Sequence, residues 1–386
     1  MVRGSPRRKR RAARRRAEPK PKAQPGLFSD ALAGWTNDDV LKTDAARAAL
    51  GAKHPAALRV LDWPQLRALF DAYDPPATRH GRRDRRLGVL SVGLAALGLM
   101  LTMASPLAVG GERNIERVAA VLAVAGLAII GAHKFGAGSK ARSIAHRFGA
   151  ERVRALYFQA AANNLDLASR AMADDEALGQ WTAARARLLG ELPAPEDLPG
   201  QIAALAGPVE DDAETWVSPA WATPPPPPER SAQLDLLLSL LRGQRLDGQI
   251  DYVERKLSDS LGAPGQRAST GRGLSRLLLG ASVVTGLMAA VLVLGMGRPP
   301  WGADVKLALA VTVGAVVAAL ALSVINNNQL LAGDAARYGA YLDALSKARD
   351  RFDRGGPAEK LAALRDVEII CYRDLRAFVA AHWRSR

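Results

Sequence analysis

Four stretches of this chain are apolar on every helical face, and they fall into two pairs. Leu87 to Gly111 holds no charged residue; it follows Arg85–Arg86 and stops at Glu112. A helix of about 20 apolar residues crosses the hydrocarbon core, so this stretch is long enough. Val118 to Ala132 is shorter and sits between Arg117 and His133–Lys134, whose side chains extend its reach by snorkelling. Leu277 to Gly297 lies between Arg276 and Arg298, and Leu307 to Ile325 follows Lys306 and runs into Asn326, Asn327 and Asn328. Soluble core helices keep a polar stripe, and these stretches have none. The pattern predicts an all-α membrane protein with two transmembrane helical hairpins, with spans at 87–110, 117–134, 276–297 and 305–326. Long cytoplasmic helices account for most of the rest.

Between the apolar stretches the pattern turns amphipathic. Residues 27–78 form an N-terminal helical segment: Asn37-Asp38-Asp39 is a helix start, and Leu66, Leu69, Phe70 and Tyr73 recur at i, i+3, i+4 and i+7 until Pro75–Pro76 ends the helix. The first hairpin and the helix after it occupy 79–192; there Ile144, Phe148, Val153, Leu156 and Tyr157 make an apolar stripe that Trp181, Leu188 and Leu189 continue. Residues 193–230 read as a Pro-rich linker whose five consecutive prolines, Pro224–Pro228, favour a polyproline II spacer or a PxxP site. The second helical segment, 231–386, carries the second hairpin between Leu234, Leu237, Leu238 and Leu241 on one side and two C-terminal helices on the other. Those last helices are broken at Gly355-Gly356-Pro357.

Charge orients this layout. Arg82, Arg83, Arg85, Arg86, Lys134, Lys140, Arg142, Arg147, Arg267, Arg272 and Arg276 flank the spans on one side, against Arg113, Arg117, Arg298 and Lys306 on the other. By the positive-inside rule both termini and the centre are cytoplasmic, and the two short loops are external. This places the chain in a bacterial inner membrane as a multi-pass protein. Residues 1–26 hold eleven Lys/Arg against Glu18 and read as a disordered basic tail. The tail contacts lipid headgroups or nucleic acid, is a solvated topogenic segment, or reflects a mis-assigned start. The excess of Arg over Lys fits a GC-rich coding bias, so the net charge of +15 argues little for nucleic acid as a partner.

The chain also reads as one pattern twice: amphipathic helix, basic collar, span, short loop, span, helix. The collars RHGRRDRRLGVL (79–90) and TGRGLSRLLLGA (270–281) are alike. Both hairpins enter from one side, so the repeats are parallel about an axis along the membrane normal. With GQIDYVERKLSDSL (248–261), the hairpin after it, and HRFGAERVRALYFQ (146–159), the chain resembles bacterial SLATT-type domains, two-transmembrane effectors that associate with nucleotide-sensing modules. The resemblance implies a membrane effector of a conflict system, acting by pore formation or membrane disruption, and a cytoplasmic motif at Arg147, Glu151 and Arg154.

Catalytic and ligand-binding patterns are missing from the sequence. It shows no Walker loop, no GxGxxG after a strand, no GxSxG and no HExxH. The single cysteine, Cys371, excludes an intrachain disulfide and cysteine-based metal frameworks. No catalytic residue, cofactor, metal or small-molecule substrate is therefore assigned. Gly286 and Ala290, and Gly314 and Ala318, have the small-xxx-small spacing of helices that approach closely in a membrane. Asn326–Asn328 mark a pore mouth or cap the fourth span. The partners expected are the bilayer, further copies of the chain and a cytoplasmic protein. A non-enzymatic effector is the first reading, a membrane scaffold or sensor the second, a channel or transporter subunit the third.

Overall fold

The computed structural model describes residues 40–104, 112–135, 138–192, 197–205, 213–257, 303–328 and 331–383, with isolated positions from 273 to 291. All regular structure among these residues is helical. Two short helices, α1 (Asp44–Lys53) and α2 (Pro55–Leu61), open the fold, and Thr43 caps the first through a bond from Ala46 N–H to its hydroxyl. The helix start expected at Asn37–Asp39 lies outside the described residues.

Helix α3 (Pro64–Ala104) then runs from the core to the end of the described segment. It passes straight through Pro75–Pro76, where the sequence predicted a stop. The two prolines leave the carbonyls of Asp71 and Ala72 without their helical donors. Packing against α5 (Gly138–Asn163) compensates on both sides of them. Tyr73 lies against Gly149, where an added methyl would sit 2.8 Å from its ring, and Ser143 Oγ donates to Ala77 O at 3.2 Å.

Helix α4 (Glu112–Phe135) pairs with α3 at very short range. A methyl on Gly98 would lie 2.7 Å from Ala123 N, and one on Gly126 2.7 Å from Ala95 N. Ser91, Ala95 and Gly98 on α3 thus face Ala119, Ala123 and Gly126 on α4, both sets spaced i, i+4, i+7. The outer faces of this pair are apolar and exposed, with Leu90 50%, Leu97 46%, Val121 67% and Val124 64% accessible.

The core proper is built by both halves of the chain. It joins α5, α6 (Leu165–Arg170), α7 (Asp175–Leu189) and α8 (Leu198–Leu205) to α9 (Ala232–Leu241), α10 (Gly248–Leu257), α12 (Leu331–Arg354) and α13 (Pro357–Trp383). The stripe read on α5 is buried throughout, as are Trp181, Leu234, Leu237, Leu238 and Leu241. The Pro-rich stretch does more than space: Trp216, Val217 and Trp221 belong to the core, so it crosses the fold as a strap before Pro224–Pro228 run extended along its surface. Helix α11 (Ala303–Asn328) packs on α3; its Ala319 is buried, while Leu307, Val311, Leu320 and Val324 are exposed.

Some residues recur at a fixed spacing. Arg147-Phe148-Gly149-Ala150 on α5 and Arg337-Tyr338-Gly339-Ala340 on α12 stand 190 positions apart, as do Arg86 and Arg276 at the collars. Both segments lie early in a helix that follows an apolar one, α4 before α5 and α11 before α12.

Candidate functional site

Charged residues of α5 converge beside α3 and α10. Arg147, Glu151 and Arg154 share one face because i, i+4 and i+7 lie on adjacent turns. Arg147 Nη2 stands 3.0 Å from Glu151 Oε1, and Arg154 closes the triad from the other side, with its guanidinium 5.1 Å from the Phe70 ring of α3. Arg147 also bonds the Tyr252 hydroxyl of α10, which bonds Tyr338 of α12 with the rings nearly perpendicular. Arg337 stacks 4.5 Å from the Tyr338 ring and pairs with Asp334 and with Asp374 of α13. A continuous polar network therefore ties α3, α5, α10, α12 and α13 together. The sequence marked only its first three members.

A deeper pair anchors the network. The chain leaves α9 through a π-helical turn, Arg242–Asp247, whose wider winding carries Arg245 into the core. Arg245 donates from Nε to Glu368 Oε1 at 2.7 Å and from Nη2 to Oε2 at 3.1 Å, a two-pronged bond between side chains 4% and 2% exposed. Its guanidinium lies 4.8 Å from the Phe158 ring. Gln159 donates to Thr215 O at 3.0 Å and to Glu368, and accepts from Val217 N–H at 2.8 Å. The strap is thereby locked to the same pair. Arg365 adds to the lock: it stacks 3.9 Å from the Trp216 ring and donates to Trp221 O at 2.7 Å. Arg152 donates to the carbonyls of Thr215 and Trp216.

These surroundings shift the titrating groups. Burial raises the Glu151 carboxyl, but Arg154 and Arg147 overcome it and hold the group at about 2. A carboxylate depressed in the fold stabilises it above its unfolded pKa and loses that contribution as pH falls from 4.5 toward 2. Glu151→Gln should therefore flatten the decline in melting temperature between pH 6 and pH 3; a variant that tracks the wild-type slope refutes the role. Burial pushes the Cys371 thiol up to about 12 against the pull of Arg245, with Tyr341 Oη 3.0 Å from its sulfur. At pH 8 the thiol stays protonated and unreactive. Maleimide labelling of the native chain should run at least about tenfold slower than of the unfolded chain.

The small-residue positions read from sequence fare differently. Gly314 and Ala318 lie on α11, and a methyl on Gly314 would meet nothing within 4 Å among the described residues. Among the described glycines, the close backbone-to-backbone approaches between helices are at Gly98 and Gly126, where α3 and α4 present small residues at matching depth. Gly286 and Ala290 lie outside the described residues. Asn326, Asn327 and Asn328 form the last turn of α11.

Two open grooves lie among the described residues. An open groove of about 570 Å³ lies between the strap and α13, lined by Trp216, Pro224, Arg365 and Ile369 among others. A smaller one of about 250 Å³ adjoins Asn163–Leu167. Among the described residues no three His, Cys, Asp or Glu side chains are grouped as metal ligands.

No family model, curated protein or solved structure matches this chain. The one described helix long and apolar enough to cross a membrane is Pro64–Thr102 of α3, with only 18% of its apolar window buried.

Proposed function

We propose that the chain is a four-span protein of the bacterial inner membrane and acts there without catalysis. In this reading two helical hairpins rise from a shared cytoplasmic core. The core senses a partner and the hairpins respond by disrupting or perforating the bilayer, as the SLATT-type resemblance implies. The observation that carries it is α3 itself. One helix begins among core residues Leu66, Phe70 and Tyr73 and continues into a stretch whose outward face is apolar and exposed. The exposed valines and leucines of α4 and α11, and those described at Leu277, Val283, Leu287 and Val291, support the other three spans. Apolar surface on this scale is satisfied by lipid. The polar network at the hairpin base supports the coupling, since Arg147 links the helix after the first hairpin to Tyr252 just before the second.

Reporter fusions test the topology, and at Ala108 and Gly302 they should give extracytoplasmic signals. Induced expression with a potential-sensitive dye tests the activity. Depolarisation in the presence of the triggering partner is the expected result. Unchanged potential with membrane-resident protein rejects the effector reading in favour of a scaffold or sensor that binds its partner through the core helices.

A further inference from the structure

The outward face of α3 changes character once along its length. At about 100° per residue, Arg79, Arg82, Arg83 and Arg86 fall on one side of the helix, and all four residues are exposed. Leu90, Gly93 and Leu97 continue the same arc and are exposed as well. Asp84, the acid within this stretch, projects from a different side, roughly 140° from Arg79. The stripe is thus basic for two turns and apolar thereafter.

Dimensions match a bilayer leaflet. The four arginines cover roughly 10 Å along the axis, against about 5–8 Å for a headgroup layer, and long arginine stems lean along the helix to close the difference. Leu87 to Ala104 adds roughly 26 Å, close to the hydrocarbon core of about 30 Å. The far end of the hairpin is unlike the near end. Helix α4 opens with Glu112, Arg113, Glu116 and Arg117, whose charges cancel.

We propose that the stripe of Arg79, Arg82, Arg83 and Arg86 binds the phosphate-bearing headgroups of anionic phospholipids in the leaflet nearest the core. The inference rests on the membrane reading above. Guanidinium groups meet phosphate oxygens through paired N–H donors, and each basic residue at a charged surface strengthens association about fivefold. Binding on this face leaves the α4-facing side of α3, with Ser91, Ala95 and Gly98, undisturbed.

The test uses the full-length chain reconstituted in vesicles of equal phosphatidylglycerol and phosphatidylethanolamine, re-extracted in mild detergent, with retained lipid counted by mass spectrometry. Phosphatidylglycerol should exceed phosphatidylethanolamine by about threefold or more. The joint change Arg79→Gln, Arg82→Gln, Arg83→Gln and Arg86→Gln should return the ratio to that of the bulk lipid. Joint Lys replacement should keep most of the enrichment. Arg170→Gln, Arg187→Gln, Arg230→Gln and Arg354→Gln together, all exposed on the core, should leave it intact. Wild type alone decides the matter if the Gln variant does not insert, because electrostatic retention weakens as salt rises. A bulk-like or salt-independent ratio for inserted wild type overturns the proposal while leaving the membrane reading standing. Recovery of wild type in the soluble fraction instead defeats the membrane reading itself.

Discussion

Glu368→Ala should lower the stability of the helical core by about 3–5 kcal/mol, the cost of leaving a buried guanidinium without its counter-ion. Arg245 has no route to water: its side chain is 4% exposed, and Phe158 lies over its face. Loss of Glu368 also removes a partner of Gln159, which holds the strap through Thr215 and Val217. The effect should therefore reach both halves of the chain. Chemical denaturation reads the loss directly, and thiol labelling of the half-buried Cys371, three residues beyond Glu368, follows it where reaction needs the core to open. If labelling proceeds through opening of the core, its rate should rise by two orders of magnitude or more, at about tenfold per 1.4 kcal/mol. An apolar exchange at both positions, Arg245→Met with Glu368→Leu, should recover most of the loss, since it removes the charge that needed a partner. A denaturation midpoint of Glu368→Ala equal to that of wild type would show that the pair is not what closes the core.

The second large effect is steric. Gly126→Leu cannot be accommodated at the present spacing of α3 and α4, because even the first carbon of the side chain would stand 2.7 Å from Ala95 N and 2.9 Å from Ser91 O. Those atoms are backbone, so they yield only if the helices part. Overpacking of this kind costs about 1–3 kcal/mol in a well-packed interior, and the bulk of leucine places the variant at the upper end. Gly98→Leu should act alike from the other helix, against Ala123 N and Ala119 O. Gly314→Leu, where a first side-chain carbon would meet none of the described residues within 4 Å, should be milder than either. Melting temperatures in detergent rank the three, and a Gly314 variant as damaged as Gly126→Leu would refute the pairing described for α3 and α4.

Much of the helical layout was legible in the sequence because it depends on periodicity. The α5 stripe and the leucines of α9 are buried where their spacing put them. Arg147, Glu151 and Arg154 do meet, since i, i+4 and i+7 geometry is local. Their continuation through Tyr252, Tyr338 and Arg337 is not local, and no single-helix pattern encodes it. Glu368 does carry a signal in the sequence: it stands between Val367 and Ile369–Ile370, and a lone acid in an apolar run points to a buried partner. The partner, Arg245, was hidden by the π-helical turn, which shifts side-chain direction away from the helical wheel. Pro75–Pro76 misled for a different reason, as tertiary contacts at Tyr73 and Ala77 outweighed a local breaking tendency. The small residues of α3 and α4 were visible too, but spacing on one helix does not say which helix it meets.

The unbroken path of α3 has a mechanical consequence. From Tyr73 to Ala104 it is a rod of roughly 45 Å, gripped at one end by α5 and weakest at the two prolines, where helices bend most readily. A tilt of about 5° at that point would sweep the far end by about 4 Å, most of one helical pitch. Helix α4 would travel with it, because the glycine contacts leave no slack between the two. The fold thus has the proportions of a lever with its fulcrum inside the core, where a displacement too small to disturb packing becomes a large one at the tip.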